Sequence, residues 1–334
     1  MLQSINTILS KIDGMVWGIP LMVLILAGGI YLTIRMGLLQ IRKLPLALKW
    51  MVKNEEDGHG EVSSFGALCT ALSATIGTGN IVGVATAIGI GGPGAVFWMW
   101  FTGLLGMATK YGEATLAVKY RVKAADGSFI GGPMYALERG LGHKWLGVLF
   151  AIFTGIACFG IGNMTQANSI AESMNGTFGI PKIATGIVLM VITGLVILGG
   201  VKSISKVCEK LIPIMAGLYI VGCIVICIVN GAHIPAAFAA IVKGAFNPAA
   251  AGGGFVGATV VACIRAGVSR GLFTNESGLG SAPIVDACAA TRNTSRQALI
   301  SMSGVFWDTI VVCLMTGLVP VSYTHLRAHE TAAN

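Results

Sequence analysis

The chain has 334 residues, of which 54% are hydrophobic and 11% charged, with a formal net charge of +8 and a mean hydropathy of +0.80. That composition excludes an ordinary soluble domain and places the chain in a lipid bilayer. The positive charge does not point to nucleic acid, because the basic residues fall in short connectors between apolar runs, where they set orientation in the membrane.

Crossing the hydrocarbon core takes about 20 apolar residues. Apolar stretches of that order, uncharged but for Asp308 in the last, recur at Gly14–Ile34, Val62–Thr109, Trp145–Ala171, Ile183–Val201, Leu211–Val242, Gly244–Ile264 and Gln297–Val321. Splitting the long second run at Gly91-Gly-Pro-Gly94 predicts about eight crossings. With the N-terminus outside, Arg35, Arg42, Lys43, Lys49 and Lys53 face the cytoplasm, followed there by Lys110, Lys119, Arg121, Lys123, Arg139 and Lys144. Later cytoplasmic connectors add Lys202, Lys206, Lys210, Arg270, Arg292 and Arg296, against Lys11, Lys182 and Lys243 outside. The asymmetry follows the positive-inside rule and predicts a multi-pass protein of the plasma (inner) membrane. Met1–Asp13 lacks the basic start and cleavage site of a signal peptide.

The first helix, Gly14–Ile34, carries no candidate chemistry and is expected at the periphery. A basic connector, Arg35–Glu61, leads to a pair of helices in Val62–Lys119. Within the connector that follows, Gly131-Gly-Pro-Met-Tyr-Ala-Leu-Glu-Arg139 predicts a short interfacial helix opened by proline. Crossings are expected at Lys144–Ser173, Ile180–Gly200 and Lys206–Asn230, and then a surface helix over His233–Pro248. The next crossing begins near Gly252-Gly-Gly254 and is expected to break at Arg265-Ala-Gly-Val-Ser-Arg-Gly271 and again at Ser277-Gly-Leu-Gly280. Gln297–Val321 is the last span and holds Asp308 at mid-depth. The tail Ser322–Asn334 is abruptly polar and reads as a translated adapter, so the transporter domain is expected over 1–321 and a non-native tail over 322–334.

Two spans are interrupted by glycine. Ser73-Ala-Thr-Ile-Gly-Thr-Gly-Asn-Ile-Val-Gly83 breaks an uncharged run with glycines, hydroxyls and an amide, and irregular backbone at membrane depth is tolerated where it lines a protein-enclosed cavity. Corresponding broken helices in two halves are the sequence pointer to an inverted-repeat transporter with a midplane site.

Three segments carry a family resemblance: Gly77-Thr-Gly-Asn-Ile-Val-Gly-Val-Ala-Thr-Ala87, Gly91-Gly-Pro-Gly-Ala-Val-Phe-Trp-Met-Trp100 and Ser269-Arg-Gly-Leu-Phe-Thr-Asn-Glu-Ser-Gly-Leu-Gly-Ser-Ala-Pro-Ile284. The chain resembles the alanine or glycine:cation symporter family from about Met1 to Pro320. The resemblance implies an all-α integral membrane protein with a leucine-transporter-like fold, two inverted five-helix repeats behind an added N-terminal helix. Here the second repeat is expected to be incomplete, lacking its last three helices, so that transport by the chain as given is not expected. Asp286 stands where such chains more often have histidine.

A zwitterionic amino acid needs a partner for its carboxylate, and the N–H groups of Thr78, Gly79 and Asn80 at the start of a half-helix offer one with favourable dipole sign. Gln166 shares a helix face with Phe159, Asn163 and Ile170 and is expected to reach substrate or to bond another helix. Ala266, Gly267 and Val268 are expected to give irregular backbone and a small-residue pocket wall. The resemblance implies sodium as the co-transported ion, held at one site by the Thr75 carbonyl and the Asn80 side-chain oxygen and at half of another by the carbonyls of Ser73 and Ile76. Asp308, an intramembrane carboxylate, is functional by default; a cation site and pairing with Arg265 both remain open for it.

The eight cysteines lack a Cys-x-x-Cys pair and read as small packing residues. Gly267-Val-Ser-Arg-Gly271 fits the esterase elbow pattern without its strand-to-helix setting or its acid and histidine partners. Gly77–Gly83 misses the dinucleotide-binding spacing. Neither an enzyme nor a nucleic-acid or obligatory protein partner is indicated. The expected function is sodium-coupled uptake of alanine or glycine by alternating access; an amino-acid sensor or a channel is the alternative.

Overall fold

The computed structural model describes residues 2–16, 18–53, 58–247 and 260–332. It is a helical membrane protein with one small β-ribbon. The chain opens with α1 (Leu2–Val16) and α2 (Ile19–Arg35), where a single helix over Gly14–Ile34 was expected; Pro20 sits in the first turn of α2, where its missing N–H costs nothing. Short helices α3 (Leu39–Arg42) and α4 (Leu44–Val52) fill the connector. Then come α5 (Ser64–Thr75), a π-helical turn at Gly79–Gly83 and α6 (Val84–Gly91). Ser63 caps α5 by accepting the Gly66 N–H at 2.8 Å.

Gly92, at φ +75°, turns the chain into α7 (Ala95–Lys119). The ribbon of β1 (Val122–Lys123) and β2 (Phe129–Ile130) follows. The expected interfacial helix is α8 (Pro133–Tyr135) and a π turn at Ala136–Gly140. Next, α9 (Lys144–Phe159), a π turn at Gly160–Met164 and α10 (Thr165–Phe178) form one long helix, followed by α11 (Lys182–Ile197) and α12 (Gly200–Val229). After a 3-10 turn at Gly231–His233 comes α13 (Ile234–Phe246). The start of the next crossing, near Gly252–Gly254, lies outside the described residues. The last elements are α14 (Val260–Asn275), α15 (Ala282–Asp286), α16 (Thr294–Val305), a π turn at Phe306–Val312 and α17 (Cys313–Ala332).

Among the described residues, Lys144–Phe178, Gly200–Val229 and Thr294–Tyr323 are each long and apolar enough to cross a membrane, and α5 with Gly79–Gly91 makes a fourth span bent by 51°. The shorter Ile19–Arg35, Lys182–Ile197 and Gly231–Phe246 are also apolar. Most of α9 to α12 presents Leu, Ile, Val and Phe outward, as at Ile156, Phe159, Leu195 and Val229; in a bilayer these meet lipid tails rather than water.

The interior lies on the other side, where α14 and α16 pack along α7. Glycines permit the close approach. A methyl on Gly271 would sit 2.0 Å from Oγ1 of Thr102, and one on Gly267 would sit 2.3 Å from the Ala95 carbonyl oxygen. Gly267-x-x-x-Gly271 is therefore a small-residue packing stripe on a regular helix, the arrangement that lets membrane helices touch backbone to backbone. This corrects the break expected at Arg265–Gly271: α14 runs through it unbroken, and the chain leaves helical geometry only from Glu276, at φ +52°, to Gly278 and Gly280, at +93° and +80°. A second correction concerns Lys110, expected at the cytoplasmic surface. It lies inside α7 and is 3% exposed.

Candidate functional site

At the break between α5 and α6 the chain bonds to itself. Ile76 is extended at ψ 102°, the Gly77 N–H donates to Oδ1 of Asn80 at 2.9 Å, and the Asn80 N–H donates to the Gly77 carbonyl at 3.2 Å. An asparagine can compete for backbone groups in this way and open a helix. Of the three N–H groups expected to be free for a carboxylate, Asn80's is thus already used; Thr78 and Gly79 stand at the head of the π turn. Gly79 leaves room for Thr274 of α14, whose Oγ1 would be 3.3 Å from an added methyl.

The other end of the Asn80 side chain reaches across the molecule. Its Nδ2 donates to Oδ1 of Asp308 at 2.8 Å, to the Asp308 carbonyl at 3.1 Å and to Sγ of Cys313 at 3.4 Å. Thr309 Oγ1 donates to the second carboxylate oxygen at 2.8 Å. Asn80 and Asp308 are each 1% exposed. Of the alternatives left open for Asp308, pairing with Arg265 is absent: Arg265 lies exposed on α14, and the ion pair among the described residues is the surface contact of Lys182 with Glu172.

A buried carboxylate is costly unless a cation lies near it, and the Lys110 side chain lines the same small cavity as Asp308. That cavity has a volume of about 10 Å³, the space of one water molecule or small ion, and is walled by Thr75, Lys110, Asn275, Ser301, Gly304 and Asp308. Nδ2 of Asn275 is buried there without a hydrogen-bond partner. The Lys110 ammonium lies 3.5 Å from the Glu276 carbonyl, just past the C-terminal end of α14, where the helix dipole favours positive charge. A much larger cavity, about 460 Å³, lies between α7, α8 with the π turn after it, Phe150 of α9 and Gly278–Gly280. Size does not make it the site, since its walls are mainly apolar; its carboxylate, Glu113, accepts the Gly278 N–H at 3.1 Å through one oxygen, while the other is buried without a partner.

Gln166 does reach the break: a methyl on Gly77 would lie 3.2 Å from its Oε1. Asn163, Phe159 and Ile170 on the same face are exposed. Thr75 and Ile76 are buried at the end of α5, whereas Ser73 is exposed and its hydroxyl turns back to the Thr70 carbonyl at 2.7 Å. Ala266, Gly267 and Val268 are not at the break. They are buried against Gly91, Ala95 and Met22 respectively, about 9–12 Å along α14 from Thr274 at 1.5 Å per residue. Lys110 and Asn275 escaped sequence reasoning. Lys110 closes the uncharged run that ends at Thr109, and only the packing of α14 on α7 shows that it faces inward.

The sodium:alanine symporter family model matches residues 2–334. The chain belongs to the sodium:alanine symporter family. A transporter of uncharacterised role from Haemophilus influenzae is 56% identical over 320 residues, 96% of this chain and 70% of that protein. The sodium/alanine symporter AgcS of Methanococcus maripaludis is 50% identical over 319 residues, covering 94% and 70% of the two chains. The probable sodium/glutamine symporter GlnT of Bacillus subtilis is 39% identical over 324 residues, covering 96% and 66%. This symporter therefore spans about two thirds of the length of these relatives. Its family is one of transporters, which agrees with a site built of helix breaks and buried polar groups rather than of an activated nucleophile.

Proposed function

We propose that the intact transporter represented by this chain couples inward movement of sodium to that of alanine or glycine by alternating access across the plasma membrane, with its N-terminus outside and the start of α5 at the cytoplasm. The observation that carries the reading is the Asn80–Asp308 contact at the helix break, with an ion-sized cavity beside it. Sodium prefers hard oxygen ligands, and the Asp308 carboxylate and Thr75 supply them; Oδ1 of Asn80 keeps a second lone pair beyond the bond to Gly77. The substrate carboxylate is directed to the Thr78 and Gly79 N–H groups, with Gln166 opposite. In a low-dielectric site the cation and the substrate carboxylate each lower the cost of burying the other, so occupancy is shared and the sodium gradient drives the amino acid. The names of AgcS and GlnT, relatives described as sodium/alanine and probable sodium/glutamine symporters, support the class of both solutes.

The test is uptake of radiolabelled alanine and glycine into proteoliposomes holding an intact relative that carries these site residues, with and without an inward sodium gradient. Saturable uptake that collapses when the gradient is removed supports the reading. Flux that neither saturates nor follows sodium indicates a channel, and binding without flux indicates a sensor; either result overturns it.

A further inference from the structure

Where α7 ends, one guanidinium gathers three separated segments. Nη1 of Arg121 donates to the carbonyls of Ala287 and Ala289 at 3.0 and 2.8 Å, and Nη2 donates to those of His59 and Thr291, both at 2.8 Å. The guanidinium also stacks on Phe129, 4.4 Å from the ring centroid. Around it the Glu61 N–H donates to the Cys288 carbonyl at 2.8 Å and the Ala290 N–H to the Val62 carbonyl at 2.7 Å. The Phe129 N–H reaches Oε1 of Glu61 at 2.9 Å, and Sγ of Cys288 donates to the Phe129 carbonyl at 3.2 Å. Gly58 and Gly60 allow this closeness, since a methyl on either would meet the backbone of Ala289 or Ala290 at 2.3 Å.

What the knot ties is the residue run immediately before α5. From there α5 is a lever of 12 residues, about 18 Å long, ending at the break beside Asn80, where the span bends by 51°. Held at its far end, the lever cannot turn about that break. The four acceptors of Arg121 are neutral carbonyls on connectors rather than a carboxylate or a helix interior. Water can replace carbonyl partners as the segments part, whereas separating a buried ion pair would strand two charges. Those are the properties of a latch that opens and recloses.

We infer that Arg121 is a positioning residue for transport, the latch that keeps the cytoplasmic half of the broken helix shut, and that its release opens a path from the cytoplasm to Asn80 and Asp308. The direction of that path rests on the alternating-access reading above. Two native cysteines report on it. Cys288 lies in the knot, and Cys313, fully buried, touches Asn80 at the far end of the lever.

The experiment treats inside-out membrane vesicles holding the full chain with a membrane-impermeant methanethiosulfonate and follows each cysteine by peptide mass spectrometry. In Arg121→Ala both Cys288 and Cys313 should react about tenfold faster or more, a population shift of about 1.4 kcal/mol. Arg121→Lys, which keeps the charge but not the fork, should move both in the same direction and serves if the alanine variant fails to reach the membrane. Faster reaction at Cys288 alone would mean local fraying around a structural arginine, and no change at either would mean no latch; both results overturn the inference. The readout needs no transport, so failure of alanine uptake would sink the proposed function while leaving this result to stand or fall separately.

Discussion

Asn80 and Asp308 lie 228 positions apart in the sequence and meet through a 2.8 Å hydrogen bond. The contact joins the break after α5 to the π turn before α17, so the two halves of the chain share one buried polar junction. A group with both ends engaged in this way cannot be trimmed without loss on each side.

Asn80→Ala removes the ligand of Gly77 and a donor to Asp308 together. Sodium-dependent alanine binding should weaken at least tenfold, about 1.4 kcal/mol, within the cost of losing a hydrogen bond to a charged group. Calorimetric titration of sodium in the presence of alanine checks this, and unchanged sodium dependence would remove Asn80 from the site.

Gln166→Ala takes away an amide that lies against Gly77. The order of preference between glycine and alanine should change while folding stays nearly intact, since Gln166 is only half-buried and even an interhelical hydrogen bond in lipid would be worth no more than about 0.6–2 kcal/mol. Competition uptake together with thermal unfolding in detergent separates the outcomes: a lower melting temperature with unchanged ranking would make the residue structural.

Gly267→Ala should have the opposite profile. Its new methyl would meet the Ala95 carbonyl at 2.3 Å, and overpacking of a close helix contact costs about 1–3 kcal/mol. Expected is a lower unfolding temperature with substrate ranking unchanged. Altered ranking at full stability would restore the pocket role that the sequence suggested for this stretch.

Asp286 is fully buried and accepts Nε2 of Gln297 at 2.9 Å and Oγ of Ser301 at 2.6 Å. Asp286→Ala leaves both donors buried without an acceptor, at about 1–3 kcal/mol each. The variant should be poorly recovered or melt early in detergent. The double change Asp286→Ala with Ser301→Ala should be less damaging than the sum of the single changes, which paired melting curves would reveal.

The break at Gly77–Gly79 was legible because glycines and an asparagine inside an apolar run have few uses other than opening a helix. The same reasoning failed at Gly267 and Gly271, because glycine in a membrane helix either ends it or lets a neighbour in, and only the partner decides; α7 is that partner. Lys110 misled for a related reason, as depth in the bundle is set by what packs outside it and not by where an uncharged run stops. The β-ribbon carried a readable signal in Asp126-Gly127 between Val122-Lys123 and Phe129-Ile130, a pair that favours hairpin turns. Arg121 had none: its four acceptors are backbone carbonyls, which no side-chain pattern announces.

Three wide turns surround the candidate site. Asn80 sits in Gly79–Gly83, Asp308 in Phe306–Val312, and Gln166 begins just past Gly160–Met164. The last two are each what remains when a single extra residue is accommodated inside a helix without unwinding it, whereas Gly79–Gly83 opens the second half of a helix already broken at Ile76. Deleting one residue from Phe306–Val312 would restore ordinary spacing and swing everything after it by about 100°. Thr316 would then lose Tyr219, whose hydroxyl it meets at 2.7 Å, while Ser301, upstream, would keep Asp286. The site's geometry is therefore an insertion phenomenon: shortening the chain by one position here should do more harm than many replacements of side chains.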